Sequence, residues 1–308
     1  MTVAFVLSGG ASLGAVQVGM LEALVDSGIR PDLIVGTSVG AINGGWIAGP
    51  GGLDDLARLD RVWRGLERRS VFPFAPIGAL KGVLGRRDHI VPPDALRRLI
   101  EENLRFDRLE DAAVPFHVVV AEVLRAVDVR LSEGPAAEAI LASSSIPGVL
   151  PPVRLRGTVY VDGGPVNNTP VSHAVELGAD QIWVLPNAFA CGLSEPPRAA
   201  LGMALHAISL AVNRRLARDL RKYRSEVDLR VVPPPCPVDV APHDFSQSGD
   251  LVDRAREVTR SWLRTLRAAE ELVPPGQLDR VHLERGHQEL FDLGTAALDP
   301  ETHEHHAG

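Results

Sequence analysis

Short apolar runs alternate with segments of helical periodicity at the start of this chain. Residues 3–7 and 33–35 are apolar runs that end at glycine or polar residues, as buried strands do. Residues 14–25 and 41–48 follow them with the composition of helices. A strand-helix-strand-helix order places the carboxyl ends of parallel strands at one edge of a sheet. The pattern therefore predicts an α/β fold.

The same alternation predicts more elements of both kinds further along the chain. The expected strands are 116–123, its hairpin partner 127–131, 158–161, 181–185 and 229–232. The expected helices are 53–69, 94–104, 136–144, 170–177, 201–223 and 250–272. Little pattern remains after Pro274. We therefore expect one domain over residues 1–272 and a poorly ordered C-terminal extension over 273–308.

Composition narrows the class of protein. The chain has 308 residues, 45% of them apolar, and a net charge of −7, which argues against a main role in nucleic-acid binding. Two cysteines exclude a disulfide framework or a cysteine-based metal cluster. The first residues lead directly into a strand and no apolar run approaches the ~18 residues that span a bilayer. We expect a cytoplasmic protein.

Ser38 lies where the second predicted strand meets a helix. The stretch Gly36-Thr37-Ser38-Val39-Gly40 has the G-x-S-x-G spacing of a nucleophile elbow, in which the serine adopts a strained conformation on a sharp turn. Its hydroxyl then projects at the positive end of a helix. A glycine-rich turn between strand and helix is also common in α/β proteins without catalysis, so the motif alone does not decide.

Two further turns carry candidate chemistry. Residues 8–14, Ser-Gly-Gly-Ala-Ser-Leu-Gly, follow the first strand, and their spacing fits neither the dinucleotide fingerprint nor the P-loop. Backbone amides in such a loop can hold an oxyanion, and a tight connection without a ligand is the alternative. Asp162 precedes Gly163-Gly164, and parallel strands would bring it to the same edge as Ser38.

Taken together, these motifs resemble those of the patatin-like phospholipases. The resemblance covers residues 3–185 and implies a three-layer α/β/α fold with a mainly parallel central sheet. It further implies hydrolysis of lipid acyl esters by a Ser-Asp dyad, with neither metal nor cofactor. The implied roles are nucleophile for Ser38, base for Asp162, oxyanion hole for Gly9, Gly10 and Ala11, and motif support for Gly14, Gly36, Gly40, Gly163 and Gly164. Leu13 stands where family members often carry arginine, and Ala11 where they often carry a third glycine.

Other interpretations stay open at this stage. A Ser-His-Asp esterase or thioesterase would need one of the histidines that follow Asp162, namely His173, His206 or His243. An acyltransferase or a noncatalytic lipid or nucleotide binder could use the same loops. Residues 53–93, an amphipathic helix followed by an apolar stretch rich in proline and glycine, are expected to cover an acyl pocket, with a packed excursion as the alternative. Peripheral membrane contact and the oligomeric state are left open.

Overall fold

A computed structural model describes residues 1–73, 88–187, 200–236, 238, 240–241 and 243–272. Its centre is an eight-stranded sheet in the order β5-β6-β3-β2-β1-β7-β8, with β4 paired to β3. The strands are β1 Val3–Leu7, β2 Leu33–Thr37, β3 Phe116–Glu122, β4 Val127–Leu131, β5 Val153–Leu155, β6 Thr158–Asp162, β7 Gln181–Leu185 and β8 Asp228–Val231. The predicted C-terminal extension lies outside the described residues.

Ten α-helices connect these strands in the part of the chain that the structure describes. They are α1 Gly14–Asp26, α2 Val39–Ala48, α3 Leu56–Gly65, α4 Arg68–Val71, α5 Asp94–Asn103, α6 Ala136–Ser143, α7 Gly164–Asn167, α8 Val171–Glu176, α9 Ala200–Tyr223 and α10 Ser248–Leu272. Short 3-10 turns lie at Ala11–Leu13 and Leu109–Asp111. Every helix expected from the sequence is present within a few residues, except that the expected helix 53–69 is divided into α3 and α4, and α7 was not expected.

The sheet is parallel in its middle and antiparallel at one side. Strands β3, β2, β1, β7 and β8 pair in parallel, whereas β4 and β6 run antiparallel to β3, and β5 runs antiparallel to β6. β5 was not predicted from the sequence. It forms a hairpin with β6 across Arg156 and Gly157, both at positive φ. The mainly parallel three-layer α/β/α architecture is confirmed.

Two apolar cores lie on opposite faces of the sheet because successive strand residues point to opposite sides. In β1, Phe5 and Leu7 pack with helices α1, α2, α3 and α10, whereas Ala4 and Val6 pack with α8 and α9. All four side chains are fully buried. This explains why β1 is a continuous apolar run, as expected for a strand covered on both faces.

Two further observations complete the fold. Cys236, just after β8, is disulfide-bonded, which the sequence analysis does not predict. The other cysteine of the chain, Cys191, lies outside the described residues. Within the described ranges, no helix combines the length and the apolar character that crossing a membrane requires.

Candidate active site

Ser38 occupies the one-residue turn between β2 and α2. Its backbone has φ 56° and ψ −126°, a strained combination for a residue with a side chain. The glycines on either side permit this turn because the backbone passes very close to them. A Cβ on Gly36 would lie 2.5 Å from Gly40 O, and one on Gly40 would lie 2.2 Å from Leu7 O. Ser38 is 7% exposed.

The Ser38 hydroxyl contacts a buried carboxylate. Ser38 Oγ donates to Asp162 Oδ2 over 2.6 Å, a length typical of a hydroxyl donating to a carboxylate. The backbone N–H of Gly164 donates to the other oxygen, Asp162 Oδ1, over 2.7 Å. Asp162 is 4% exposed, and this burial raises its pKa to about 6, against the opposing effect of the hydrogen bonds from Ser38 and Gly164.

Asp162 reaches Ser38 by a route that differs from the one expected. From the sequence, both residues were expected at the carboxyl ends of parallel strands, and this expectation was wrong for β6. β6 is antiparallel to β3, and its last residue, Asp162, pairs with Val120. The neighbouring residue Val119 pairs with Thr37 at the end of β2. The register of β3 against both neighbours therefore sets the distance between nucleophile and carboxylate.

Ser143, the last residue of α6, stabilises the turn at Ser38 through two hydrogen bonds. The backbone N–H of Ser38 donates to Ser143 Oγ over 2.8 Å, and Ser143 Oγ donates to Val119 O over 2.6 Å. Both bonds are buried, where an unsatisfied amide would cost about 1–3 kcal/mol. The sequence analysis does not assign Ser143 a role. A run of three serines at the end of a predicted helix was the signal available.

The glycine-rich loop is tied to the turn that follows Asp162. The N–H of Gly9 donates to Asn168 O over 3.0 Å, and Asn168 Nδ2 donates to Gly9 O over 3.2 Å. The Gly9 amide, one of the three expected in the oxyanion hole, therefore already has an acceptor. Among the residues that the structure describes, none accepts a hydrogen bond from the N–H of Gly10 or of Ala11. Ala11 has φ 51° and lines the same pocket as Ser38.

Buried amide side chains fix the peptide that precedes Gly9. The carbonyl of Ser8 accepts from Gln17 Nε2 over 2.9 Å and from Asn187 Nδ2 over 2.8 Å. Asn43 Nδ2 donates to Gln17 Oε1 over 2.9 Å, and Trp63 Nε1 donates to Asn43 Oδ1 over 2.9 Å. This chain of hydrogen bonds links α3 to the loop. The sequence analysis assigns none of these residues a role.

An apolar pocket, partly open to solvent, lies beside Ser38. Its walls come mainly from α2, α3, α4 and α5 and from the segment after α6. The lining side chains are Ala11, Ser38, Val39, Ile42, Trp46, Trp63, Leu66, Val71, Phe72, Leu96, Leu99, Ser144, Ile146, Leu150 and Phe245. The segment 53–93, expected as a cover, thus supplies Trp63, Leu66, Val71 and Phe72. Its residues 74–87 lie outside the described residues.

A triad would need one of three histidines, His173, His206 or His243. His173 Nε2 lies 3.0 Å from Asp128 Oδ2 and its Nδ1 lies 3.1 Å from Glu176 Oε2. The hydrogen bond from His173 is the largest cause of a lowered Asp128 pKa. His243 is exposed in a loop before α10. The side chain of His206, on α9, lies outside the described residues. Asp162 has neither His173 nor His243 as a hydrogen-bond partner.

Among the described residues, no three side chains of histidine, cysteine, aspartate or glutamate lie together as a metal ion would require. The histidines of the tail, His303, His305 and His306, lie outside those residues.

The family model described as patatin-like phospholipase matches residues 5–175. The chain belongs to the patatin-like phospholipase family. The match includes the glycine-rich loop, the Ser38 elbow and Asp162, which the structure brings together. It ends within α8, so α9, β8 and α10 lie beyond it.

Relatives of this family member include fungal and mycobacterial proteins. The lysophospholipase nte1 of Emericella nidulans is 30% identical over 183 residues, which are 59% of this chain and 12% of that protein. An NTE family protein of Mycobacterium tuberculosis is 30% identical over 180 residues, 58% of this chain and 47% of that protein. The chain thus spans about half of the mycobacterial relative, and far less of the fungal one.

Among solved structures, VipD from Legionella pneumophila has a TM-score of 0.42 and 13% identity, covering 84% of this chain and 67% of VipD. Similarity at this level adds nothing to the family assignment.

Proposed function

We propose that this chain hydrolyses acyl esters of phospholipids or lysophospholipids through a dyad of Ser38 and Asp162. One observation carries the proposal: a serine hydroxyl on a strained elbow donates over 2.6 Å to a buried carboxylate at an apolar pocket. Family membership supports the substrate class, and so does the similarity to the Emericella relative, which is named a lysophospholipase. The pocket supports it further, since its lining suits an acyl chain.

In the acylation step, Ser38 Oγ attacks the ester carbonyl carbon and its proton passes to Asp162 Oδ2. The tetrahedral intermediate then expels the alcohol, which takes the proton from Asp162, and an acyl-serine remains. Water attacks that ester in the same way, with Asp162 again accepting and returning a proton. A carboxylate is a weak base for a serine, and the burial that raises its pKa to about 6 makes it a better one.

Negative charge on the substrate oxygen requires donors close to Ser38. The N–H groups of Gly10 and Ala11 fit this role because Ala11 lines the pocket beside Ser38 and neither amide has an acceptor among the described residues. Gly9 has a different role, since its amide and its carbonyl both bond to Asn168. These bonds hold the loop in place before substrate arrives, which is the condition for effective oxyanion stabilisation.

The dyad is favoured over a triad by the surroundings of His173. Its two ring nitrogens face Asp128 and Glu176 rather than Asp162. Asp162 in turn receives its hydrogen bonds from Ser38 and from the backbone of Gly164. No step of the proposed mechanism needs a histidine to carry a proton.

Contact with a membrane surface forms part of the same proposal. Met203, Ala207 and Leu210 are exposed along one side of α9, and Arg214 and Arg218 are exposed further along it. Apolar side chains followed by cations are typical of helices that lie on anionic lipid. Sedimentation with anionic vesicles should remove more wild-type protein from solution than the variant with glutamine at both arginines.

The decisive experiment combines covalent labelling with a substrate screen. A fluorophosphonate should label the wild type and Ser225→Ala, a surface control, but not Ser38→Ala. Turnover by wild type and Ser38→Ala is compared on phospholipids, lysophospholipids, triacylglycerols and simple esters, with release of fatty acid as the readout. Equal turnover by a folded Ser38→Ala protein would refute the proposed function. Turnover of simple esters alone would refute the lipid substrate class.

A further inference from the structure

The pocket beside Ser38 follows one side of α2. Val39, Ile42 and Trp46 line it at positions separated by three and four residues, which lie on one face of a helix. Trp46 is eight residues beyond Ser38, and at 1.5 Å per residue the two are about 12 Å apart along the helix axis. An acyl chain attached to Ser38 that follows this face therefore meets the Trp46 indole.

A second pocket, also partly open to solvent, lies next to this end of α2. Trp46 lines both pockets, and the two linings have no other residue in common. The second pocket is more polar, with Asp55, Arg58, Asn103 and Arg105 in its lining. Trp46 is thus the residue at which the apolar space that contains the nucleophile meets a more polar space that does not.

The Trp46 indole is buried although its burial leaves a polar group unsatisfied. Trp46 is 7% exposed, and its indole N–H has no hydrogen-bond partner among the described residues. By contrast, the buried Trp63 and Trp183 each donate from the indole to a side-chain amide oxygen. A phenylalanine would avoid the cost of the unpaired N–H. The size of the indole is therefore the property that this position uses.

We propose that Trp46 is the residue that determines acyl-chain length, by closing the pocket about two turns of helix away from Ser38. Chains that end at the ring are fully buried, whereas longer ones leave their last methylenes outside the apolar space. Removal of the ring would enlarge the apolar pocket at its Trp46 end and allow longer chains to be buried. This inference rests on the proposed function, because it needs an acyl group on Ser38.

The test measures kcat/KM for p-nitrophenyl esters from butyrate to stearate in Trp46→Ala and Trp46→Phe. Each methylene newly buried should raise kcat/KM by about fourfold, so the palmitate-to-octanoate ratio should rise at least about tenfold in Trp46→Ala. Trp46→Phe should give a smaller shift in the same direction. Trp183→Ala and Trp183→Phe are matched controls, because that buried ring lines neither pocket, and they should keep the wild-type profile.

If Trp46→Ala does not fold, Ile42→Trp replaces it, since a large ring one turn closer to Ser38 should move the preference toward shorter esters. Rates of Ser38 labelling by short-chain and long-chain alkyl fluorophosphonates give a readout that does not depend on turnover. A chain-length profile that is unchanged in folded Trp46 variants, or shifted equally in Trp183 variants, would overturn the inference alone. Failure of every probe to react at Ser38 in the wild type would instead overturn the proposed function.

Discussion

Replacement of Asp162 by asparagine should abolish activity and at the same time stabilise the fold. Asparagine keeps the shape of the side chain, and its oxygen can still accept from the Gly164 amide, now held over 2.7 Å. Its amide group then faces Ser38 Oγ as a donor, so the serine proton has no acceptor. General-base catalysis contributes about 10²–10⁴ in rate, and we expect turnover to fall by ~1000-fold.

The stability effect follows from the raised pKa of Asp162. Burial lifts the pKa from 3.8 to about 6, so between these values the native state binds the proton more tightly than the unfolded state. Stability is therefore lost as pH rises through this window, and the loss is complete above pH 6. At about 1.4 kcal/mol per pKa unit the penalty above pH 6 is about 3 kcal/mol. Asparagine cannot ionise and escapes it.

The assay compares thermal unfolding of wild type and Asp162→Asn at several pH values. At pH 8 the variant should be more stable by about 1–3 kcal/mol, which amounts to a few degrees in Tm, and the difference should vanish below about pH 4. The kcat/KM of the wild type should rise with pH through about 6 as Asp162 loses its proton. A variant that is less stable than wild type at pH 8, or that keeps activity within tenfold, would contradict this reasoning.

Three further predictions concern the loop, the histidines and the cover. Gly10→Val should lower turnover by ~100-fold or more in a folded protein. A Cβ at this position would lie 2.7 Å from Asn187 Cβ, so the backbone amides of the loop would be displaced. Normal turnover by the folded variant would remove the loop from the mechanism. Replacement of His173, His206 or His243 by alanine should keep kcat within about tenfold of the wild-type value. A loss as large as that of Ser38→Ala in any of these variants would establish a triad. Hydrogen exchange in residues 53–73 should change when anionic vesicles are added, and unchanged protection would count against a lid.

Much of the fold could be read from the sequence because it depends on local patterns. The bounds of β1 and β4 match the predicted ones, and α1 begins at the predicted Gly14. The hydrophobic period fixes such elements directly. β5 was not predicted because its three residues, Val153–Leu155, are too few to show a period of apolar and polar positions. The same reason applies to α7.

The residues of the candidate site likewise differ in whether a local sequence pattern could indicate them. The strand-turn-helix motif indicated Ser38 as a candidate, and the Asp-Gly-Gly turn indicated Asp162, since both motifs depend on local backbone geometry. The sequence placed Gly9 in the expected oxyanion hole but could not show that its amide has another acceptor, the carbonyl of Asn168, 159 residues further along the chain. Gln17 and Asn187 remained unassigned because their partners are backbone carbonyls that become neighbours only in the folded sheet.

The sequence by itself determined which residues could react, whereas the tertiary structure decided whether they meet. Ser38 and Asp162 are 124 residues apart, and their 2.6 Å contact depends on an antiparallel register that no local pattern encodes. The pKa of Asp162 depends on burial, which is a property of everything packed around it. The meeting of the two pockets at Trp46 likewise depends on how the helices pack against one another, and packing is a non-local outcome of the whole chain.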